Sequence, residues 1–532
     1  MSQQPLPFLQ SEMHPSRWGD PALAGPLPDA ARGLVELAFG ISDHPAVDAP
    51  VPPPCGLPDE VLDALRALLG AEHVLLDDAT RRLRTRGKST PDLLRMRAGD
   101  LDDAPDAVVR PGDHDDVAAV LALAVEHGVA VVPFGGGTSV TGGLAARRDG
   151  FAGLLSLDLV RLKRLLDVDE VSMTATLEPG LRGPEAEALL AERGLTLGHY
   201  PQSFEYATIG GFAATRSSGQ SSAGYGRFDA LVVGLRVATP RGELRLGSAP
   251  ATAAGPDLRQ LVLGSEGAFG VITAVTVRVR PLPAVKVYEG WRWPSFTAGA
   301  DAMRTLAQAG LLPTVLRLSD EHETAINLAR PDEIGGTDDP GCLMITGYEG
   351  EPSAVSAKQA AVATVLAELG GVALGTEPGE AWAHGRFSAP YLRDAMLDAG
   401  VLVETMETAT FWSRREALYA AVKAALVAEL GEGAIVLCHV SHVYETGCSL
   451  YFTVAAAGGD DPLARWARAK AAACDAMMAQ GATITHHHAV GTDHRPWLTQ
   501  EIGELGASVL RAVKADLDPT GILNPGVLIP DA

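Results

Sequence analysis

Between Asp59 and Leu69 the apolar positions Val61, Leu62, Leu65, Leu68 and Leu69 fall three or four apart. This predicts a helix with one apolar face and Asp59 placed to cap it. Pro-rich connectors (PLPDAAR, DAPVPPPCGLP) flank that helix, so the first hundred residues read as an extension packed on the main body. From Ala107 the pattern changes to a strand (AVVRP), a helix capped by Asp113 (DDVAAVLALAVEHG) and a second strand (VAVVPF). Further strand-like runs follow in LLSLDL, TATLEP, DALVVGLRVATP and FGVITAVTVRVRPLP, and the prolines closing the last run place a domain edge near Pro283. Beyond it SFTAGADAMRTLAQAG, PTVLRLS, CLMITGYEG and SAVSAKQAAVATVLAELG alternate helix and strand, predicting a second, α+β domain. ARAKAAACDAMMA reads as helix, and the turn-rich tail LDPTGILNPGVLIP is expected to return to the first domain. The expected division is therefore 1–100, 101–283, 284–500 and 501–532.

Composition narrows the function classes. With 532 residues and 46% hydrophobic content the chain can bury two or three cores. A formal charge of −23 argues against electrostatic binding to nucleic acid or anionic lipid. No apolar run approaches the ~18 residues of a membrane span, and neither a secretory N-terminus nor a peroxisomal tripeptide is evident, so a cytoplasmic protein is expected. Cys55, Cys342, Cys438, Cys448 and Cys474 show no C-x-x-C spacing, which favours buried free thiols over disulfides or a thiolate zinc site.

Two Gly-, Ser- and Thr-rich stretches change the picture most. PFGGGTSVTGG follows the strand-like run ending at Pro133, and its Gly135, Gly136 and Gly137 allow a sharp turn that aims backbone N–H groups at an anion. The loop lacks the Lys of a Walker A motif, and Val140 breaks the G-x-G-x-x-G pattern. About sixty residues later comes GHYPQSFEYATIGGFAATRSSG, and the two together point to one large phosphate-bearing cofactor in a different cradle.

The chemistry-bearing candidates lie later in the chain. His486, His487 and His488 are adjacent; on a strand His487 would face away from the other two, so this run alone cannot make a three-point metal site. A two-His site completed by a distant carboxylate stays open, as does a surface role. Tyr451 stands in a strand-like alternation where a tyrosine usually packs in the core, and Arg393 and Arg317 suit either surface ion pairs or bidentate anion binding.

Taken in order, the glycine loop, TIGGFAATRSSG, GPDLRQLVLGSEGAFGVITAVTVRVRPLP, PYLRD, SLYFTV and HHHAVG resemble the FAD-binding vanillyl-alcohol-oxidase/p-cresol-methylhydroxylase superfamily, and within it the alkyldihydroxyacetonephosphate synthase family. The resemblance runs from RWGDP at Arg17 to the tail. It implies an α+β fold, with a two-subdomain FAD-binding domain and an α+β cap domain holding substrate on an antiparallel sheet. It assigns the flavin contacts to Pro133, Phe134, Gly135, Gly136, Gly137, Thr138 and Ser139; to His199, Gln202, Ser203, Thr208, Gly210 and Gly211; to Thr215, Arg216, Ser217 and Ser218; and to Gly264, Glu266, Gly267, Gly270, Val271 and Ile272. It assigns acid/base chemistry to Tyr451 and the three histidines, and binding of the substrate phosphate to Arg393 with help from Arg317.

The implied reaction exchanges the acyl group of acyl-dihydroxyacetone phosphate for a fatty alcohol, using noncovalent FAD without net redox change. Tyr451 as a phenolate base would need a lowered pKa. The superfamily's other chemistry, flavin-linked oxidation of a 2-hydroxy acid such as lactate or glycolate, is the alternative, since either arginine holds a carboxylate as readily as a phosphate. A long-chain substrate also implies access to lipid, leaving room for peripheral membrane contact and for a homodimer. After the triplet, Gly491, Thr492, Asp493, His494 and Arg495 are less basic than the family pattern.

Overall fold

The computed structural model describes residues 11–42, 46–47, 49–326 and 341–531. Residues 1–10 and 532, on which the reading of targeting signals rests, lie outside the described residues.

The helix Asp59–Leu69 forms and buries Val61, Leu62, Leu65 and Leu69. Two details differ from expectation. Pro58 is the cap, pre-set at φ −59°, so Asp59 lies in the first turn and makes no capping bond. Leu68 is left out of the core, 37% exposed. By contrast His114–His127 is capped as its sequence predicts, with the Asp113 carboxylate accepting the N–H groups of Asp115 and Asp116 at 2.9 Å each.

That helix connects strands of the first sheet, in which Ala107–Val109, Gly153–Asp158 and Val129–Phe134 run parallel and Val74–Leu75 closes one edge antiparallel. The other edge, Val129–Phe134, is closed by the tail. Val131 N–H donates to Ile522 O at 2.8 Å, and Asn524 N–H returns to Val131 O at 2.9 Å. The second sheet is antiparallel, in the order Leu165–Asp169, Thr174–Leu177, Val271–Arg278, Val232–Thr239, Gly242–Leu246. The two sheets form the FAD-binding part, and the glycine loop leaves the C-terminal end of Val129–Phe134, where an open α/β sheet receives its ligand.

A seven-stranded antiparallel sheet builds the cap, ordered Val372–Gly375, Val285–Trp293, Cys342–Gly350, Val315–Ser319, Ile435–Val440, Gly447–Ala457, Val401–Phe411. Its period-two alternation sorts the side chains. Leu316, Leu318, Val436, Cys438, Leu450, Phe452 and Val454 face the helices Phe296–Gln308, Arg415–Leu430 and Pro462–Ala479 in one core. Each fully buried Leu or Phe there contributes about 1.5–3 kcal/mol. The opposite parity (Arg317, Leu437, His439, Tyr451, Thr453) faces a cavity shared with the FAD-binding part.

The N-terminal segment straps the two parts together. Lys88 Nζ donates to the carbonyls of His14 (2.6 Å) and Pro15 (2.9 Å), Trp18 N–H donates to Asp394, and Arg17 pairs with Asp398 at 2.7 Å.

Candidate active site

The shared cavity measures about 1170 Å³. One wall is the glycine loop Pro133 to Val140, joined by Gln202, Ser203, Thr208, Gly210, Gly211, Thr215, Ser217, Ser218, Glu266, Gly267, Gly270 and Ile272. The other carries Arg317, Arg393, His439, His442, Tyr451, His487 and His488. His486, His199, Arg216, Gly264 and Val271 stand behind these walls. His199 is buried against Phe212 and Phe228 with Nε2 3.1 Å from Ser217 Oγ, and Arg216 donates away from the cavity to Leu263 O and Gln260 O at 2.9 Å each.

The glycine wall fits a dinucleotide. A Cβ on Gly136 would overlap the Tyr206 carbonyl oxygen and lie 2.8 Å from its carbon, one on Gly135 would strike Thr208 Oγ1, and Gly137 has φ +67°. Only glycine permits so close an approach of backbone. Gln202 Nε2 and Gln220 Oε1 on the cavity wall are buried without hydrogen-bond partners, as expected of groups that meet a polar cofactor. Glu266 is different: its oxygens already accept Val490 N–H (2.9 Å) and Gly491 N–H (2.8 Å), tying this wall to the loop after the histidines. Burial pushes its carboxyl up to about 7, against the lowering effect of those bonds.

The three histidines do not lie on a strand. They occupy successive bends after the helix Pro462–Ala479, so their rings do not alternate and His487 and His488 both face Tyr451, with centroids 6.1 and 5.4 Å away. Glu407 holds this loop. Its Oε2 accepts His486 N–H at 2.7 Å; its Oε1 accepts His487 N–H at 3.1 Å, His488 N–H at 2.9 Å and the Thr485 hydroxyl at 2.6 Å. Strand pairing places Glu407 beside Tyr451 and Tyr451 beside His439, whose ring stacks on the phenol at 4.7 Å and 16°. His439 in turn approaches Glu323 (3.0 Å) and Arg317 (3.0 Å), and Arg317 donates to Glu323 at 2.5 Å. Arg317 is thus occupied within the protein. Arg393 is also anchored: Nε donates to Asp394 Oδ1 at 3.1 Å and Nη1 to Lys88 O at 2.7 Å, while Nη2 lies 3.0 Å from Asp394 Oδ1 and makes no hydrogen bond.

The expected lowered pKa of Tyr451 is not found. Burial pushes the phenol up to about 12, and the carboxylates of Glu404 and Glu407 push the same way against a Thr405 hydrogen bond and Arg317. The imidazoles move oppositely. Burial lowers His488 to about 3 against the opposing pull of the Glu407 carboxylate, and holds His486 and His442 well below the ordinary range. At neutral pH the site therefore contains a protonated phenol at Tyr451 and neutral imidazoles at His442, His486 and His488.

His439, His442 and Glu407 were not singled out by sequence reasoning, although CHVSH and the two acids in the otherwise apolar VLVETMETATF are visible signals. His442 also joins the triplet in space: ring nitrogens of His442, His486 and His487 all lie within 4.8 Å of one another. His442 Nδ1 is held by the Ser222 and Ser218 hydroxyls at 2.7 and 3.0 Å.

Neutral burial of these rings has a consequence for stability. His199 and His488 have folded pKa values near 3 against an ordinary 6.5, so the unfolded chain binds more protons below pH 6.5. Their contribution is complete above pH 6.5 and is lost as pH falls toward 3. The thermal midpoint should fall progressively over that window, and His488→Gln should show a shallower fall in differential scanning fluorimetry; an unchanged slope contradicts neutral burial.

Comparisons with known proteins identify the family and the fold. The family models "FAD binding domain" and "FAD linked oxidases, C-terminal domain" match residues 105–247 and 282–528. The chain is 36% identical to an alkyldihydroxyacetonephosphate synthase of Trypanosoma brucei brucei, over 90% of this chain and 82% of the relative. It is 32% identical to one of Dictyostelium discoideum, over 94% and 85%. A solved structure of an alkyldihydroxyacetonephosphate synthase superposes with a TM-score of 0.82 at 28% identity, covering 97% of this chain and 98% of that one. The fold is thus shared along almost the whole length, and the chain belongs to the alkyldihydroxyacetonephosphate synthase family of FAD-dependent enzymes.

Proposed function

We propose that this protein replaces the acyl group of an acyl-dihydroxyacetone phosphate with a fatty alcohol, forming an ether-lipid precursor. The observation that carries the reading is the cavity itself, whose lining brings Tyr451, His487 and His488 opposite the glycine wall and includes the 9% exposed Arg393, whose buried Nη2 makes no hydrogen bond. Bound FAD supplies the electrophilic ring that makes the exchange possible without net redox change. Arg393 binds the phosphate through a charge-assisted bond. Tyr451 stands as a proton donor and the neutral imidazoles as acceptors, which suits them to remove the proton of the incoming alcohol. Flavin binding is noncovalent in this reading, since the loop Gly135 to Val140 holds no His or Cys; acid precipitation that leaves the colour in the pellet contradicts it.

The cavity continues under the helix Asp29–Phe39, whose Leu34 and Leu37 line it while standing 44% and 86% exposed. This supports a peripheral lipid contact at the entry for the long chains.

The test is anaerobic single turnover. Palmitoyl-dihydroxyacetone phosphate should bleach the flavin and release palmitate, with oxidised flavin restored by hexadecanol. Lasting reduction by D-lactate or glycolate alone, reversed by an electron acceptor, makes the enzyme a hydroxy-acid dehydrogenase instead. Arg393→Lys keeps the charge but loses the fork, and KM for the phosphate ester should rise by roughly 10- to 100-fold, the worth of a charged hydrogen bond of about 1.5–3 kcal/mol. An unchanged KM places the phosphate elsewhere.

A further inference from the structure

The ring nitrogens of the histidine loop form a chain whose direction is ambiguous without Glu407. His486 Nε2 lies 2.5 Å from the Tyr444 hydroxyl, and His486 Nδ1 lies 2.9 Å from His487 Nδ1. With both rings neutral, two arrangements satisfy these contacts. If Tyr444 donates, His486 carries its proton on Nδ1 and passes a hydrogen bond to His487, which must then be protonated on Nε2. If Tyr444 accepts, His486 carries its proton on Nε2, and His487 Nδ1–H donates to His486. Only in the second does His487 present a bare Nε2 lone pair, and with Nδ1 turned inward Nε2 is the nitrogen left to meet a substrate.

Glu407 separates the two. Its Oε2 stands 3.4 Å from His487 Nδ1, its side chain is fully buried, and among the described residues no Lys or Arg pairs with it. A desolvated carboxylate favours a proton on the nearest nitrogen, and at low dielectric that preference is strong. We infer that Glu407 is a positioning residue, which fixes His487 as the Nδ1–H tautomer and so presents Nε2 to the cavity as a proton acceptor. The direction then runs on through His486 Nε2–H to the Tyr444 oxygen. The same carboxylate fixes the ring's position, because it accepts the backbone N–H of each of the three histidines. The division of labour resembles that of a carboxylate behind a catalytic histidine, where the acid sets tautomer and orientation without taking the proton.

The inference rests on the proposed chemistry for its kinetic part only; the tautomer can be read without substrate. Glu407→Gln removes the charge and confronts the backbone donors with an amide N–H₂. In long-range ¹H–¹⁵N spectra of the histidine-labelled holoenzyme at pH 7.5, the wild type should show His487 as Nδ1–H, assigned by loss of its signals in His487→Asn. Glu407→Gln should shift it to Nε2–H or a mixture. With acyl-dihydroxyacetone phosphate and hexadecanol, kcat should fall about 10²-fold while KM for the phosphate ester stays within about twofold and the flavin spectrum is retained. Should Glu407→Gln fail to fold, Glu407→Asp decides: it keeps the charge but withdraws it by one methylene, and a mixed tautomer with reduced kcat is expected. A wild-type Nε2–H tautomer, or variants whose tautomer matches the wild type, overturns the inference. If no synthase turnover is seen but the tautomer shifts as stated, the proposed reaction fails and the role of Glu407 stands.

Discussion

Tyr451→Phe should reduce turnover by about 10²–10⁴-fold, the usual contribution of a positioned acid or base, with the flavin spectrum and melting temperature left close to wild type. The substitution removes one oxygen and leaves the ring, so the stacking on His439 and the pairing of Gly447–Ala457 with its neighbours persist. The pH profile adds a finer expectation. With the phenol pushed up to about 12 by burial and by the nearby carboxylates, Tyr451 remains protonated across the working range, and no ascending limb from phenolate formation should appear between about pH 7 and 9. A limb in that range that vanishes in Tyr451→Phe restores the phenolate base. Retained activity removes the residue from the mechanism altogether.

Gly136→Ala should yield protein that has lost most of its flavin. The new methyl would overlap the carbonyl oxygen of Tyr206 and lie 2.9 Å from Ala207 Cα, both backbone atoms that cannot rotate aside. Overpacking of this kind costs about 1–3 kcal/mol, so FAD retention should weaken by roughly 10- to 100-fold as the loop moves off its position. Gly33→Ala is the control. Nothing lies within 4 Å of a Cβ there, and in the helix Asp29–Phe39 alanine is the better helix former. Full flavin occupancy in Gly136→Ala, measured as the 450 nm to 280 nm absorbance ratio, would remove the steric argument for the glycine loop.

What was legible in the sequence was local. The strand Val129–Phe134, the cap at Asp113 and the glycine loop each depend on neighbours within a few positions, and each forms as read. The assembly of the acid/base centre depends on register instead. Ser319, His439, Tyr451 and Glu407 form one row across four strands, because Ser319 pairs with His439, His439 with Tyr451 and Tyr451 with Glu407. Alternation along a strand shows which residues share a face, but not which partner stands opposite, since register is fixed by contacts far apart in the chain. For that reason Tyr451 could be matched by motif while Glu407 and His439 passed unnoticed. The strand geometry considered for the triplet failed similarly: HHH lies outside every strand, and the three N–H groups that a strand would spend on a neighbour go to the Glu407 carboxylate.

The closing of the first sheet by Ile522 to Asn524 also sets an order of assembly. Those residues leave the ribosome after the entire cap has been made, so the edge of Val129–Phe134 beside the glycine loop stays open throughout translation. Asn524 adds the same constraint from its side chain, donating to Gly143 O and Glu266 O across that wall. The first sheet of the FAD-binding part, although most of it is synthesised first, therefore has its edge beside the glycine loop closed last.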